Sequence, residues 1–88
     1  MKKRFIQICG VEYSIEEINF VADDAAMGRS NSKSGEILLS KDLPDSIKRA
    51  TLLHEIIHQI SDRLGIDLTE IQVRSLESGL VPFFKFDI

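Results

Sequence analysis

Both histidines of this 88-residue chain fall within one pentapeptide, His54-Glu55-Ile56-Ile57-His58. On a helix, residues four apart differ by about 40° around the axis and lie one turn apart, so the two imidazoles share a face. Such a pair can grip one Zn²⁺ through ring nitrogens at roughly 2.0–2.1 Å. Glu55 sits about 100° round from His54. That offset suits a general base acting on a metal-bound water better than it suits a further ligand. The chemistry this spacing points to is metal-assisted hydrolysis.

Hydrolytic zinc usually takes three protein ligands and leaves one position open. The chain has no third histidine and a single cysteine, Cys9, so the missing ligand has to be a carboxylate. Glu70 and Glu77 are the downstream candidates. They lie seven residues apart, on one helical face, and periodicity does not separate them. An antiparallel hairpin whose first helix runs about 10 Å past His58 would bring residue 77 to the level of the metal. A wider crossing angle would bring Glu70 instead.

The element that must hold the histidines is a helix over about residues 45–64. Ala50, Leu53, Ile57, Ile60 and Leu64 form an apolar stripe, widened by Leu52 and Ile56. The histidines lie roughly 80–120° from the centre of that stripe, at its rim, where a ligand pair is shielded yet reachable. Asp42-Leu43-Pro44-Asp45-Ser46 supplies helix-start chemistry, and Gly65 stands where a left-handed cap is expected. Thr69 can cap a second helix that carries Val73, Leu76 and Leu80 inward and stops at Pro82. Phe83, Phe84 and Phe86 follow as an apolar tail that packs back, or that meets a partner.

Upstream, the first 22 residues read as strand, with Gly10 either a hairpin turn or a bulge, and with Ile18, Phe20 and Val21 continuing the extended character. Cys9 and Tyr13 read as core residues. Residues 23–35 are a polar loop by composition. Within it Arg29, Ser30 and Asn31 are candidates to border a cleft or stabilise an oxyanion, against the simpler reading of solvated loop residues. Glu36-Ile37-Leu38-Leu39-Ser40 is a short strand just before the metal helix.

Composition bounds the rest. Hydrophobic residues at 43% and charged residues at 28% are those of a globular domain, and the length suits a single one spanning residues 1–88. A chain this short buries only about 60% of its unfolded surface, so a metal would be a useful staple. The formal charge of −3 argues against a protein that coats nucleic acid or anionic lipid. Residues 5–11 are too short an apolar run for a signal-peptide core, and no run approaches the roughly 20 residues that span a membrane. With one cysteine, a cytoplasmic setting is expected.

The segment Thr51-Leu52-Leu53-His54-Glu55-Ile56-Ile57-His58, preceded by an Ile-Leu-Leu strand and Lys41-Asp42-Leu43-Pro44, resembles the small phage- and prophage-encoded metallopeptidases of the ImmA/IrrE type. Those are zincins with a glutamate as third ligand. Their downstream glutamate pattern falls here on Glu70, Val73, Leu76 and Leu80. The resemblance therefore implies Glu70, not Glu77, as the third ligand beside His54 and His58. It also implies that the Glu36–Ser40 strand forms the sheet edge over the site, where a peptide adds as another strand. Repressor-type regulators are the substrate class it implies, in the cytoplasm of a bacterial host. The chain ends soon after the second helix, where larger members complete the cleft, which leaves room for a partner chain to do so.

The expectation is an α+β, minimal zincin-like domain: a small sheet of about three strands on the motif helix, plus a second helix. His54, His58 and Glu70 would hold one Zn²⁺ per chain, with Glu55 activating the zinc-bound water for peptide hydrolysis. The rival expectation is a zinc-stabilised regulatory or protein-binding module that cuts nothing. A third makes the histidines packing residues of an adaptor domain without metal.

Overall fold

The computed structural model describes residues 3–19 and 27–86, and it is α+β: a four-stranded mixed sheet with two helices. Strands β1 (Arg4–Ile8) and β2 (Val11–Ile18) form an antiparallel hairpin with Ile8 opposite Val11. The two residues between them, Cys9 at φ 51° and Gly10 at φ 80°, are both left-handed, the backbone of a type I′ turn. Gly10 is thus a turn residue. Cys9 is exposed, not a core residue as its apolar neighbours suggested. The turn sets the register, and the register leaves no inward position for it.

Strand β4 (Glu36–Ser40) runs parallel to β2, and β3 (Gly28–Asn31) pairs antiparallel with β4, giving the order β1-β2-β4-β3. Two sequence expectations are corrected here. The sheet has four strands rather than about three, because Gly28–Asn31, read as polar loop, is a strand. Nothing in Gly-Arg-Ser-Asn favours a strand locally; the pairing of Gly28 with Leu39 and Ser30 with Ile37 makes it one. The strand at the edge is therefore β3, and β4 lies inside the sheet between β2 and β3. Phe20, Val21 and the start of the polar stretch, residues 23–26, lie outside the described residues.

Helix α1 (Asp45–Leu64) packs across one face of the sheet. Tyr13, Ile15, Ile37, Leu39, Leu52 and Ile56 are buried together with Ile8 as the main core. At its start Pro44 occupies the cap position with no side-chain hydrogen bond, so none of the nearby oxygens caps it. Buried Lys48 instead pairs with Glu17 at 2.8 Å, tying the first turn to β2. At its end Gly65, at φ 66°, is the left-handed cap. Leu64 is exposed, contrary to the stripe, because a 20-residue helix is about 30 Å long and overhangs the short strands beneath it.

Thr69 caps α2 (Glu70–Leu80) through a reciprocal box with Gln72. Among the described residues α2 packs on α1 and on the 3₁₀ turn Val81–Phe83 and touches no strand. One supporting neighbour buries one row. Val73 is fully buried against Leu53 and Ile57, whereas Leu76 and Leu80, expected to point inward, are exposed. Phe84 and Phe86 pack back on the core, but Phe83 is exposed.

The approach of β3 to α1 fixes the geometry that follows. A side chain at Gly28 would place its Cβ 2.7 Å from Thr51 Cγ2 and 3.3 Å from the Leu38 carbonyl oxygen. Thr51 cannot swing aside freely, since its hydroxyl donates to the Ile47 carbonyl at 2.7 Å. Glycine lets the edge strand lie close enough to the helix for Ser30 to reach the motif. No helix among the described residues is long and apolar enough to cross a membrane.

Candidate metal centre

Four-residue spacing on α1 sets His54 and His58 one turn apart, with Nε2 atoms 3.2 Å from each other. The first turn of α2 lays Glu70 across both: its Oε2 lies 3.2 Å from His54 Nε2 and its Oε1 3.1 Å from His58 Nε2. Among the described residues, these form the one group of three ligating side chains that converges. The two histidine–glutamate contacts use different Glu70 oxygens; with one ligand atom taken from each residue, the three lie within 4.8 Å of one another.

The proton inventory tests the fit independently. His54 Nδ1 lies 2.8 Å from Glu77 Oε1. A carboxylate can only accept, so Nδ1 carries the proton and, in the neutral ring, Nε2 presents its lone pair inward. That lone pair faces the Glu70 carboxylate and His58 Nε2. One proton on His58 can serve only one of those two neighbours at a time. A cation at the centre of the three side chains would satisfy all of them at once. The residues present fit a divalent metal of zinc's preferences, with nitrogen and oxygen donors, the two histidines partly shielded and Glu70 exposed.

Glu70 is half-exposed, and its carboxyl sits below the usual value. Desolvation pushes it up, but the charges of His54 and His58 and the hydrogen bond and charge of Arg74 outweigh that. It is therefore ionised at neutral pH, ready to ligate.

The two glutamates that periodicity left equivalent have different places. Glu70 meets both inward nitrogens; Glu77 meets the outward nitrogen of His54 and orients the ring. The hairpin argument for Glu77 failed because the short connection, with Asp67 at φ 58°, starts α2 beside the histidines rather than past them. Orienting carboxylates of this kind hold the ligand's tautomer. Glu77→Gln should weaken zinc affinity about 10–100-fold while zinc still binds, measured by competition with a chromophoric chelator. An unchanged affinity would mean that the contact does not organise the site.

Glu55 is not part of the triangle. Its Oε1 accepts a hydrogen bond from Ser30 Oγ at 2.6 Å. Behind Ser30 runs a chain of hydrogen bonds: Gln59 Nε2 donates to Ser30 Oγ at 2.9 Å, Tyr13 Oη to Gln59 Oε1 at 2.6 Å, and Arg63 Nε to Tyr13 Oη at 2.9 Å. A cleft of about 240 Å³, lined by Met27, Gly28, Thr51, His54, Glu55, Arg74 and Glu77, opens beside the motif.

Of the three residues proposed from sequence to border a cleft, only Ser30 faces the site. Asn31 Oδ1 accepts from the backbone of Lys33 and Ser34, closing the turn to β4. Arg29 lines a groove with Glu36 and Leu38. Gln59 and Arg63 were missed, although their spacing from Glu55 was visible: residues 55, 59 and 63 recur every fourth position and mark a polar stripe. Comparison with family models, curated proteins and solved structures finds no match to this chain.

Proposed function

We propose that this chain is a minimal zincin-like metallopeptidase of the ImmA/IrrE kind, in which His54, His58 and Glu70 hold one zinc and Glu55 moves the proton. The observation that carries the reading is the convergence of His54 Nε2, His58 Nε2 and the Glu70 carboxylate. Zinc bound there supplies Lewis acidity, which acidifies water and polarises a carbonyl oxygen.

Glu55 lines the cleft next to His54 and is not spent on the triangle. It takes a proton from the water that attacks the peptide carbonyl carbon. As the C–N bond breaks, it returns that proton to the leaving amine nitrogen. Thr51 and Gly28 line the same cleft, and the Glu77 carboxylate holds His54 in one tautomer. Among the described residues β3 is paired on one side only, by β4, which supports a substrate bound as an extended strand along its other side. The cytoplasmic setting and a repressor-type regulator as substrate rest on the family resemblance.

Zinc-loaded protein should cleave an unstructured probe such as β-casein. Chelation should stop the reaction, and one equivalent of zinc should restore it. A fully zinc-loaded chain that leaves casein and a diverse peptide library uncut would replace this reading with the non-catalytic, zinc-stabilised module.

A further inference from the structure

Glu55, Gln59 and Arg63 lie on one face of α1, and the buried side chains of Tyr13 and Gln59 join them to Ser30 on the edge strand. The polarity of this chain is determined by its ends. Arg63 can only donate, and ionised Glu55 can only accept. Each hydroxyl in between has one proton to give. Tyr13 accepts from Arg63 and gives its proton to Gln59; the Gln59 amide donates to Ser30; Ser30 gives its proton to Glu55. Reversing the Gln59 amide would leave the Tyr13 proton without an acceptor and make Gln59 and Glu55 compete for the one Ser30 proton. Arg63 also donates to the Ser32 carbonyl at 2.7 Å, so the same guanidinium clamps the turn that ends β3.

We propose that Ser30, held by the Arg63–Tyr13–Gln59 chain, is a positioning residue for Glu55, pinning one carboxylate oxygen so that the other serves the cleft. A glutamate side chain has three rotatable bonds and would otherwise sample several rotamers. Among the described residues the Ser30 hydroxyl is the only hydrogen-bond partner of the Glu55 carboxylate. The chain polarises that hydroxyl and holds it in one orientation. It also ties the base to the edge strand, on which Ser30 lies. This rests on the peptidase reading above.

The test compares wild type, Ser30→Ala, Ser30→Thr and Tyr13→Phe as full chains with one equivalent of zinc. Three-bond scalar couplings in labelled protein report the Glu55 χ1 rotamer without requiring turnover. Wild type and Ser30→Thr should show one rotamer, Ser30→Ala should show averaging, and Tyr13→Phe should fall between, all with unchanged zinc content. Cleavage of β-casein by Ser30→Ala should lose roughly ten- to a hundredfold in kcat with KM unchanged. A single Glu55 rotamer in Ser30→Ala would overturn the proposal, as would an averaged rotamer with wild-type kcat. If wild type cuts no probe, the peptidase reading falls by itself, and the couplings still decide whether Ser30 positions Glu55.

Discussion

Glu55→Gln should keep one zinc per chain and lose about 10²–10⁴-fold in kcat. Glutamine has the same length, and its amide oxygen can still accept from Ser30 Oγ, which lies 2.6 Å from Glu55 Oε1. The polar chain back to Arg63 therefore stays intact. What the amide lacks is a basic oxygen that can take a proton and give it back. Because Glu55 stands outside the His54–His58–Glu70 triangle, its charge is not needed to hold the metal. KM should change little, since the interaction removed matters in the transition state and not in substrate binding. Wild-type turnover in this variant would exclude Glu55 as the base. Loss of zinc would make it a ligand.

Zinc should raise the melting temperature by roughly 10–20 °C when present at about 100 times its Kd. Binding at that ratio adds about 2.7 kcal/mol, and a domain of this size gains about 4–8 °C per kcal/mol. The packing says where the gain falls. The seam between α1 and α2 has only Leu53, Ile57 and Val73 fully buried, with Leu68, Val81 and Phe84 at its margin. Leu76, Leu80 and Ile71 of α2 are exposed. Apolar burial alone therefore holds α2 weakly, and a metal shared by two residues of α1 and one of α2 would be a cross-link over that seam. Chelation should lower amide-exchange protection in α2 more than in β2 or β4. Thermal melts of the apo and zinc-loaded chain, with His54→Ala beside them, check this. A melting temperature indifferent to zinc would contradict it.

Local signals were legible wherever chain chemistry and tertiary demand agreed. Helix α1, its Gly65 cap and the Thr69 cap of α2 follow from periodicity and end residues, because a long amphipathic helix announces its face and its stops. The strand from Glu36 to Ser40 was visible from its apolar run, though its internal place in the sheet was not. That place depends on β3, whose Gly-Arg-Ser-Asn has no strand character and becomes a strand only by pairing with β4.

The candidate site divides the same way. His54, Glu55 and His58 could be grouped from spacing within one helix. Periodicity could not separate Glu70 from Glu77; the family register pointed to Glu70, and the 65–69 connection, with left-handed Gly65 and Asp67, is what lays it beside the histidines. The Tyr13–Gln59–Ser30 bridge joins three elements, so no single segment records it. Tyr13 was read as core, and it is fully buried, but its hydroxyl also belongs to the polar chain that ends at Glu55.

The central claim is that His54, His58 and Glu70 hold a metal, and elemental mass spectrometry on untagged protein tests it most directly. The account predicts about one zinc per chain in the wild type and almost none in His54→Ala at matched purity. No metal in either protein, and no uptake when zinc is titrated into the wild type, would contradict it.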